Sequence, residues 1–199
     1  MASQDGIPTA AGILTVGIDP LAFVPGAYVQ FLRLGGDGLD APIKDEKRLD
    51  GTLLDVLRQL DEVLELNITT SVDFTSGRRE ERIPDYPLVA LQQVVRNAVL
   101  HRSYEHTASP VRITWYSDRV EVISPGGPYG IVSVHNFGQP GITDYRNPAL
   151  ADLLRGLGYV QRFGMGLPST RRSLERNGSP PPEFTVTDSH VSVTMRRLP

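Results

Sequence analysis

Three polar side chains stand at a regular spacing in the middle of the chain. Gln93, Asn97 and His101 lie four residues apart within YPLVALQQVVRNAVLHRSY, the segment from residue 86 to residue 104. In a helix, a four-residue step places side chains above one another on the same face. Amides and a neutral imidazole can each donate and accept hydrogen bonds. The row therefore either faces solvent or lines a site for a polar ligand.

The residues around this row have the pattern of an amphipathic helix. Pro87 suits a helix start, where its missing N–H costs no intrahelical hydrogen bond. Apolar residues then recur at steps of three and four, which is typical of a helix that buries one side. These residues are Leu88, Leu91, Val94, Val95, Ala98 and Val99. The sequence thus predicts a helix with a buried face and a separate polar row.

Two glycine turns follow the helix along the chain. The first, SPGG, ends at Gly127 after a predicted strand pair, and the second, RFGMGL at residues 162–167, opens another predicted helix. Glycine lets backbone N–H groups approach a phosphate closely, and a helix N-terminus adds partial positive charge. A lone GxG pattern is also common in ordinary loops. Each turn alone is therefore weak evidence for a phosphate site.

The order of these features resembles the GHKL ATP-binding fold. More closely, the chain is similar to the divergent ATPase-like domain found at the C-terminus of transcriptional regulators with a Schlafen AlbA-type domain. That domain is often labelled RecG-like helicase C-terminal, although it carries no helicase motif. The resemblance covers roughly Pro84 to Arg197. The segments that carry it are YPLVALQQVVRNAVLHRSY, VRITWYSDRVEVISPGG, YRNPALADLLRGLGYVQRFGMGL and PPPEF.

The resemblance implies an ATP site with Mg²⁺ and assigns residues to it. Asn97 stands where the family has its magnesium ligand. Gly164 and Gly166 stand where glycines contact the phosphates, with an ordinary loop between helices as the alternative. Gly126 and Gly127 either pass close to the base or sugar, or form a plain turn after a strand.

Two further residues enter through the same resemblance. His101 belongs to HRSY, which matches the family's HRDY, and either reaches a phosphate or packs behind the helix as a structural histidine. Arg146 precedes a predicted helix cap at Asn147 and contacts either a phosphate or the helix below.

The sequence departs from the usual GHKL pattern at two positions. Gln93 stands where the catalytic glutamate is expected, and an amide can orient water but cannot take its proton near neutral pH. Ser124 stands where an aspartate usually recognises adenine, as in the divergent family, and is expected to bond a base edge, through water or directly. We therefore expect a nucleotide-binding regulatory domain with weak or no hydrolysis. The alternatives are a working ATPase, or a structural or dimerisation module that binds no nucleotide.

Composition limits the partners and the compartment. The chain has 199 residues, no cysteine and a net charge of -3, so it offers no disulfide framework and no general attraction to nucleic acid. No apolar run approaches the roughly 20 residues that span a bilayer, and no signal peptide is visible. We expect a cytoplasmic protein with no membrane contact, able to form a homo-oligomer. DNA contact is expected through an upstream AlbA-type domain. The chain is expected to be a C-terminal fragment, or a naturally truncated relative, of a regulator that carries such a domain.

The predicted fold class is α+β, a two-layer α/β sandwich of the GHKL (Bergerat-like) type with a smaller α+β N-terminal region. The predicted domains are residues 1–83, an N-terminal α+β connecting region that is the end of the AlbA-type region, and residues 84–199, the GHKL-like ATP-binding domain. Helices are expected on one face of a mixed or antiparallel sheet. Residues 129–145 form a long polar connection, of a kind that is usually functional or mobile. The resemblance implies that this connection is the lid over the nucleotide.

The N-terminal region is predicted from local patterns. Periodicity leaves open whether residues 7–17 form a short helix or a buried strand. Strands are expected at 27–34 and 43–49, the second at a sheet edge, and a helix from Thr52 to about Glu65. A hairpin is expected over 68–83, turning at Ser76-Gly77. Its charged cluster either is solvated or contacts DNA or a partner chain; the basic residues are Arg78, Arg79 and Arg82.

The remaining elements of the C-terminal part are a hairpin, two helices and a terminal strand pair. The expected bounds are 111–116 and 119–123 for the hairpin, 148–157 and 167–177 for the helices, and 184–186 and 191–196 for the strands.

Overall fold

The computed structural model of the protein describes residues 6–73, 81–105, 107–139, 141–160 and 165–198. Within them, the helices are α1 Ala10–Val16, α2 Leu53–Asn67, α3 Leu88–His101, α4 Pro148–Gly156 and α5 Gly166–Asn177, with a short 3-10 turn at Pro20–Ala22. The strands are β1 Val29–Leu34, β2 Ile43–Leu49, β3 Thr70–Asp73, β4 Glu81–Pro84, β5 Val111–Trp115, β6 Arg119–Pro125, β7 Glu183–Val186 and β8 His190–Arg196.

Six strands form one mixed sheet in the order β2-β1-β5-β6-β8-β7. The pair β1 and β5 is parallel, and the other neighbouring pairs are antiparallel. The helices pack against this sheet, which confirms the predicted α+β class and α/β sandwich. Strands from both sides of the predicted boundary between residues 83 and 84 belong to this one sheet.

Alternating burial along the strands shows which side of the sheet the helices cover. In β5, Val111, Ile113 and Trp115 are buried while Arg112 between them is exposed. Such alternation is typical of a sheet with one face on the core and one towards solvent. Helix α3 lies against β6 and also packs against α2 and α5. The central position of α3 makes it the element around which the site is built.

Local signals fix the ends of the helices. Thr52 and Asp55 form a capping box at the start of α2, since each side chain accepts a hydrogen bond from the other residue's backbone N–H. Pro87 is the N-cap residue of α3, one position before the first helical residue. Gly178, with φ of 73°, ends α5 in the left-handed conformation that favours glycine. The open question at residues 7–17 is resolved as a helix, α1.

The hairpin predicted at 68–83 is a separate two-stranded sheet, β3 paired with β4. Its predicted turn at Ser76-Gly77, together with Arg78 and Arg79, lies outside the described residues. The predicted edge strand β2 does lie at an edge of the six-stranded sheet, and β7 lies at the other.

Asn147 occupies the N-cap position of α4 as expected, but its side chain does not cap that helix. Its amide instead donates to the carbonyl oxygens of Leu100 (2.7 Å) and Arg102 (2.9 Å). These carbonyls lie at the end of α3, where the last turn leaves backbone acceptors without intrahelical partners. Asn147 therefore joins the start of α4 to the end of α3.

Candidate functional site

A cavity of about 220 Å³ lies beside α3. Its walls come from α3, the end of β6, the connection over residues 126–145, and the first turns of α5. Strands β7 and β8 contribute Phe184, Val191 and Val193. The predicted polar row faces this cavity, because all three of its members line it: Gln93, Asn97 and His101.

The start of α5 lies against two members of the row. A methyl group placed on Gly166 would be 2.9 Å from Asn97 Nδ2 and 3.3 Å from Gln93 Oε1. Within the part of the chain that the structure describes, no side chain caps this helix start. The Gln93 side chain is 8% exposed, and neither side-chain amide makes a hydrogen bond to another described residue. Two polar groups thus face the cavity beside the positive end of a helix dipole.

Much of the rest of the lining is apolar. Phe137 packs on Phe184 with ring centroids 5.6 Å apart, which brings the connection over 126–145 onto β7. The other apolar side chains here come from several elements: Val94, Leu100, Val122, Val132, Ile142, Val160, Leu167, Val191 and Val193. A cavity with a broad apolar wall and a few convergent polar groups is typical of small-molecule sites.

Ser124 lines the cavity, but its hydroxyl is already engaged. Its Oγ donates to the Ala98 carbonyl oxygen at 2.8 Å, and the residue is 6% exposed. The bond joins β6 to α3. Since the hydroxyl has one proton, Ser124 offers a ligand only its oxygen lone pairs.

Gly126 and Gly127 both line the cavity, and each has a structural reason to be glycine. Gly126 has φ of 98°, a conformation that side-chain-bearing residues rarely adopt. A methyl group on Gly127 would lie 2.6 Å from the Asp188 carbonyl oxygen, so this backbone passes close to the turn between β7 and β8. The turn after β6 is therefore shaped by its neighbours as well as by the cavity.

His101 packs against the connection that covers the cavity. Its ring stacks on Tyr145, with centroids 5.5 Å apart and an interplanar angle of 17°. Burial, together with the nearby positive charge of Arg146, lowers the pKa of His101 to about 4. The imidazole is therefore neutral near pH 7. It offers a ligand one donor or acceptor rather than a positive charge.

Arg146 lies behind the glycine turn rather than among the residues that line the cavity. Its Nη2 donates to the carbonyl oxygens of Gly127 (3.0 Å) and Pro128 (3.4 Å), and its guanidinium lies 4.9 Å from the Tyr129 ring centroid. Its Nε is buried without a hydrogen-bond partner among the described residues. The structure thus places its guanidinium on backbone carbonyls of the turn, a contact that was not predicted, and the contact with a phosphate stays a prediction.

A partly buried ion pair supports the polar row from behind. Arg96 Nη2 lies 2.9 Å from Asp61 Oδ2, which joins α3 to α2, and Gln92 donates to the same carboxylate at 3.0 Å. The Arg96 guanidinium also lies 5.1 Å from the Tyr159 ring centroid. Tyr159 immediately precedes the segment that contains Gly164, which lies outside the described residues.

The sequence analysis missed two charged residues in the lining. Asp144 accepts hydrogen bonds from Ile131 N (3.2 Å) and Tyr145 N (2.8 Å), so it shapes the connection that it belongs to. Arg171 lies in α5, four residues after the lining residue Leu167, and that spacing was the signal available for it.

Metal-binding clusters and membrane-spanning helices are both absent from the described part of the chain. It holds no cluster of three or more histidine, aspartate or glutamate side chains placed to bind a metal ion. None of its helices is long and apolar enough to cross a membrane.

Comparison with known proteins agrees with this architecture. Residues 108–195 match the family model described as "Putative ATP-dependent DNA helicase recG C-terminal", which supports an ATPase-like domain in this part of the chain. No curated protein matches the chain. Among solved structures, the DIP2311 protein from Corynebacterium diphtheriae is similar, with a TM-score of 0.77 and 22% identity. The match covers 98% of this chain and 39% of that one, and it shows a shared fold.

Proposed function

We propose that this chain binds ATP with Mg²⁺ in the cavity beside α3 and hydrolyses it weakly or not at all. The observation that carries the proposal is the pair of free amides, Gln93 and Asn97, facing the cavity against the uncapped start of α5. Buried polar groups in folded proteins are almost always hydrogen-bonded. Gln93 is buried and Asn97 is half-buried, and neither amide has a hydrogen-bond partner among the described residues, so a polar ligand in the cavity would supply one.

The residues present suit a magnesium nucleotide. Asn97 Oδ1 would serve as a metal ligand, since amide oxygens are among the oxygen donors that Mg²⁺ accepts. The backbone at Gly166 would approach the phosphates at the start of α5. The apolar wall, with Val122 and Val193, would enclose the base. The bound metal ion would neutralise part of the negative charge of the phosphates.

The lining provides poor means of activating water. Gln93 can orient a water molecule but cannot accept its proton. Asp144 is the carboxylate among the described lining residues, and both of its oxygens already accept backbone N–H bonds in the connection over 126–145. With these side chains, the domain would bind a nucleotide and hydrolyse it slowly.

Calorimetric titration with ATP in the presence of Mg²⁺ tests the proposal. We expect saturable binding with one site per chain, weakened by removal of the metal ion. A phosphate-release assay on the same preparation should give turnover close to the background. If ATP gives no heat of binding and does not compete with a fluorescent ATP analogue, the proposal of nucleotide binding is wrong. A structural or dimerisation module would then be favoured. Fast phosphate release would favour a working ATPase.

At a finer level, we assign the domain to a cytoplasmic transcriptional regulator that contacts DNA through an upstream AlbA-type domain and can form a homo-oligomer. The support is the resemblance of four sequence segments between residues 84 and 197 to that class of regulator. The coding sequence upstream of residue 1 tests it. An AlbA-type domain encoded there is the expected finding, and an unrelated domain would contradict the assignment.

A further inference from the structure

We infer that Arg171 binds the terminal phosphate of the nucleotide and so makes the site selective for triphosphates over monophosphates. The inference rests on the proposed function and adds to it a residue that determines specificity. It starts from the charges in the lining. Among the described lining residues, Arg171 carries the positive charge, since His101 is neutral and Arg146 lies behind the turn.

The position of Arg171 on α5 directs its charge towards the phosphate end of the cavity. Leu167, Pro168 and Arg171 all line the cavity, and their three- and four-residue spacings put them on one face of the helix. Side chains on a helix lean towards its N-terminus. Arg171 stands five residues after Gly166 on the same helix, and this lean favours a side chain on the side of the helix start, beside which the amides of Gln93 and Asn97 lie.

No competing anion holds Arg171 among the described residues. None of their carboxylates lies within ion-pair distance of its guanidinium, and the side chain makes no hydrogen bond to them. Five guanidinium donors are thus available for phosphate oxygens. The adjacent Arg172 is exposed on the same helix but does not line the cavity.

Arg171 also reaches the connection that covers the cavity. A methyl group on Gly138 would lie 3.7 Å from Arg171 Nη2 and 3.6 Å from Leu167 Cδ1. The guanidinium therefore lies between α5 and the connection over residues 126–145. A phosphate held beside it would face both of these segments.

The test compares Arg171→Gln with Arg172→Gln, which removes the same charge from the same helix outside the cavity. Affinities for ATP, ADP and AMP with Mg²⁺ are measured for both variants and the wild type by calorimetry. A charge-assisted hydrogen bond is worth roughly 1.5–3 kcal/mol, so we expect Arg171→Gln to weaken ATP binding about tenfold or more. ADP binding should weaken less, AMP binding should change less than about twofold, and Arg172→Gln should match the wild type.

The outcomes separate this inference from the function it rests on. If the wild type binds ATP and Arg171→Gln binds it equally well, or if both variants weaken all three nucleotides alike, the role of Arg171 is wrong and the nucleotide site stands. If the wild type binds none of the three nucleotides, the proposed function itself fails. Thermal unfolding of both variants verifies that they are folded, and the exposed position of each arginine predicts melting temperatures near that of the wild type.

Discussion

Gly166 lies directly against Asn97, so close that a methyl group on the glycine would be 2.9 Å from Asn97 Nδ2. Real methyl groups do not approach a nitrogen that closely, and the group that must move is the end of a flexible side chain. The glycine at the start of α5 thus leaves the space that the Asn97 amide, in the middle of α3, occupies. This relationship determines where the amide can point.

Gly166→Ala should therefore impair ligand binding more than folding. The methyl group would push the Asn97 amide from its position, and we expect ATP affinity to fall by about twofold to fivefold, the effect of losing part or all of a contact worth about 1 kcal/mol. Gly156→Ala is the matched control, because a methyl group there meets no atom within 4 Å. Calorimetry and thermal unfolding compare the two variants. Equal ATP affinities would show that the contact does not position the site.

Asn97→Ala should abolish the magnesium-dependent part of nucleotide binding and leave the fold intact. Alanine has a higher helix propensity than asparagine, so α3 should not be weakened by the change. The measurement is ATP affinity with Mg²⁺ and with a chelator, together with circular dichroism. A folded variant whose affinity with Mg²⁺ equals that of the wild type would remove Asn97 from the site.

Gln93→Glu should raise hydrolysis without tightening nucleotide binding. General-base catalysis typically contributes about a hundred- to ten-thousand-fold in rate, and a carboxylate at this position would supply the missing proton acceptor. Phosphate release at saturating ATP measures the gain, and calorimetry measures the affinity. A folded variant that binds ATP but releases phosphate no faster would show that the glutamine is not what limits turnover.

Asn147→Ala should lower the free energy of unfolding by about 1–2 kcal/mol, because two backbone carbonyls at the end of α3 lose their donor. Asn147→Asp should cost more, since a carboxylate cannot donate and would bring negative charge to a helix C-terminus. Urea denaturation measures both. An aspartate variant as stable as the wild type would contradict the importance of these two bonds.

Because His101 is neutral and stacked on Tyr145 in the folded protein, we predict that the protein loses stability in acid. Its pKa is about 4 in the folded protein and near 6.5 when unfolded, so below pH 6.5 the unfolded chain binds more protons. Stability should therefore fall as the pH drops from about 6.5 to 4. His101→Phe keeps a ring against Tyr145 and removes the titration. Denaturation between pH 7 and pH 4.5 should show a shallower decline in the variant, and parallel curves would refute the assignment.

Patterns within one segment predicted much of the site. The four-residue spacing of Gln93, Asn97 and His101 depends only on helix geometry, and the structure places all three on the cavity wall. The glycines of both turns were expected because of the order of motifs, and Gly126, Gly127 and Gly166 do line it. Their roles towards a ligand stay predictions.

Contacts between distant segments were not predictable from such patterns. Asn147 precedes a proline at a helix start, which favours a local cap, yet its amide bonds to backbone 45 and 47 positions away. Arg102 looks like a surface residue in HRSY but is 1% exposed, and it donates to the carbonyl oxygens of Gly26 and Ser109. Arg171 is one of several arginines on a charged helix. Tertiary packing determines the partners of Asn147 and Arg102 and the position of Arg171 on the cavity wall.

The parallel pairing of β1 with β5 has a consequence for how the protein is made. Val29 pairs with Val111, which is synthesised 82 residues later. At roughly 5–20 residues per second, a ribosome leaves the inner edge of the β1–β2 hairpin unpaired for several seconds or more. Closing so long a loop is slow, and an open strand edge can pair with another chain meanwhile. The yield of native protein should therefore depend on translation speed and on chaperones that cover this hairpin.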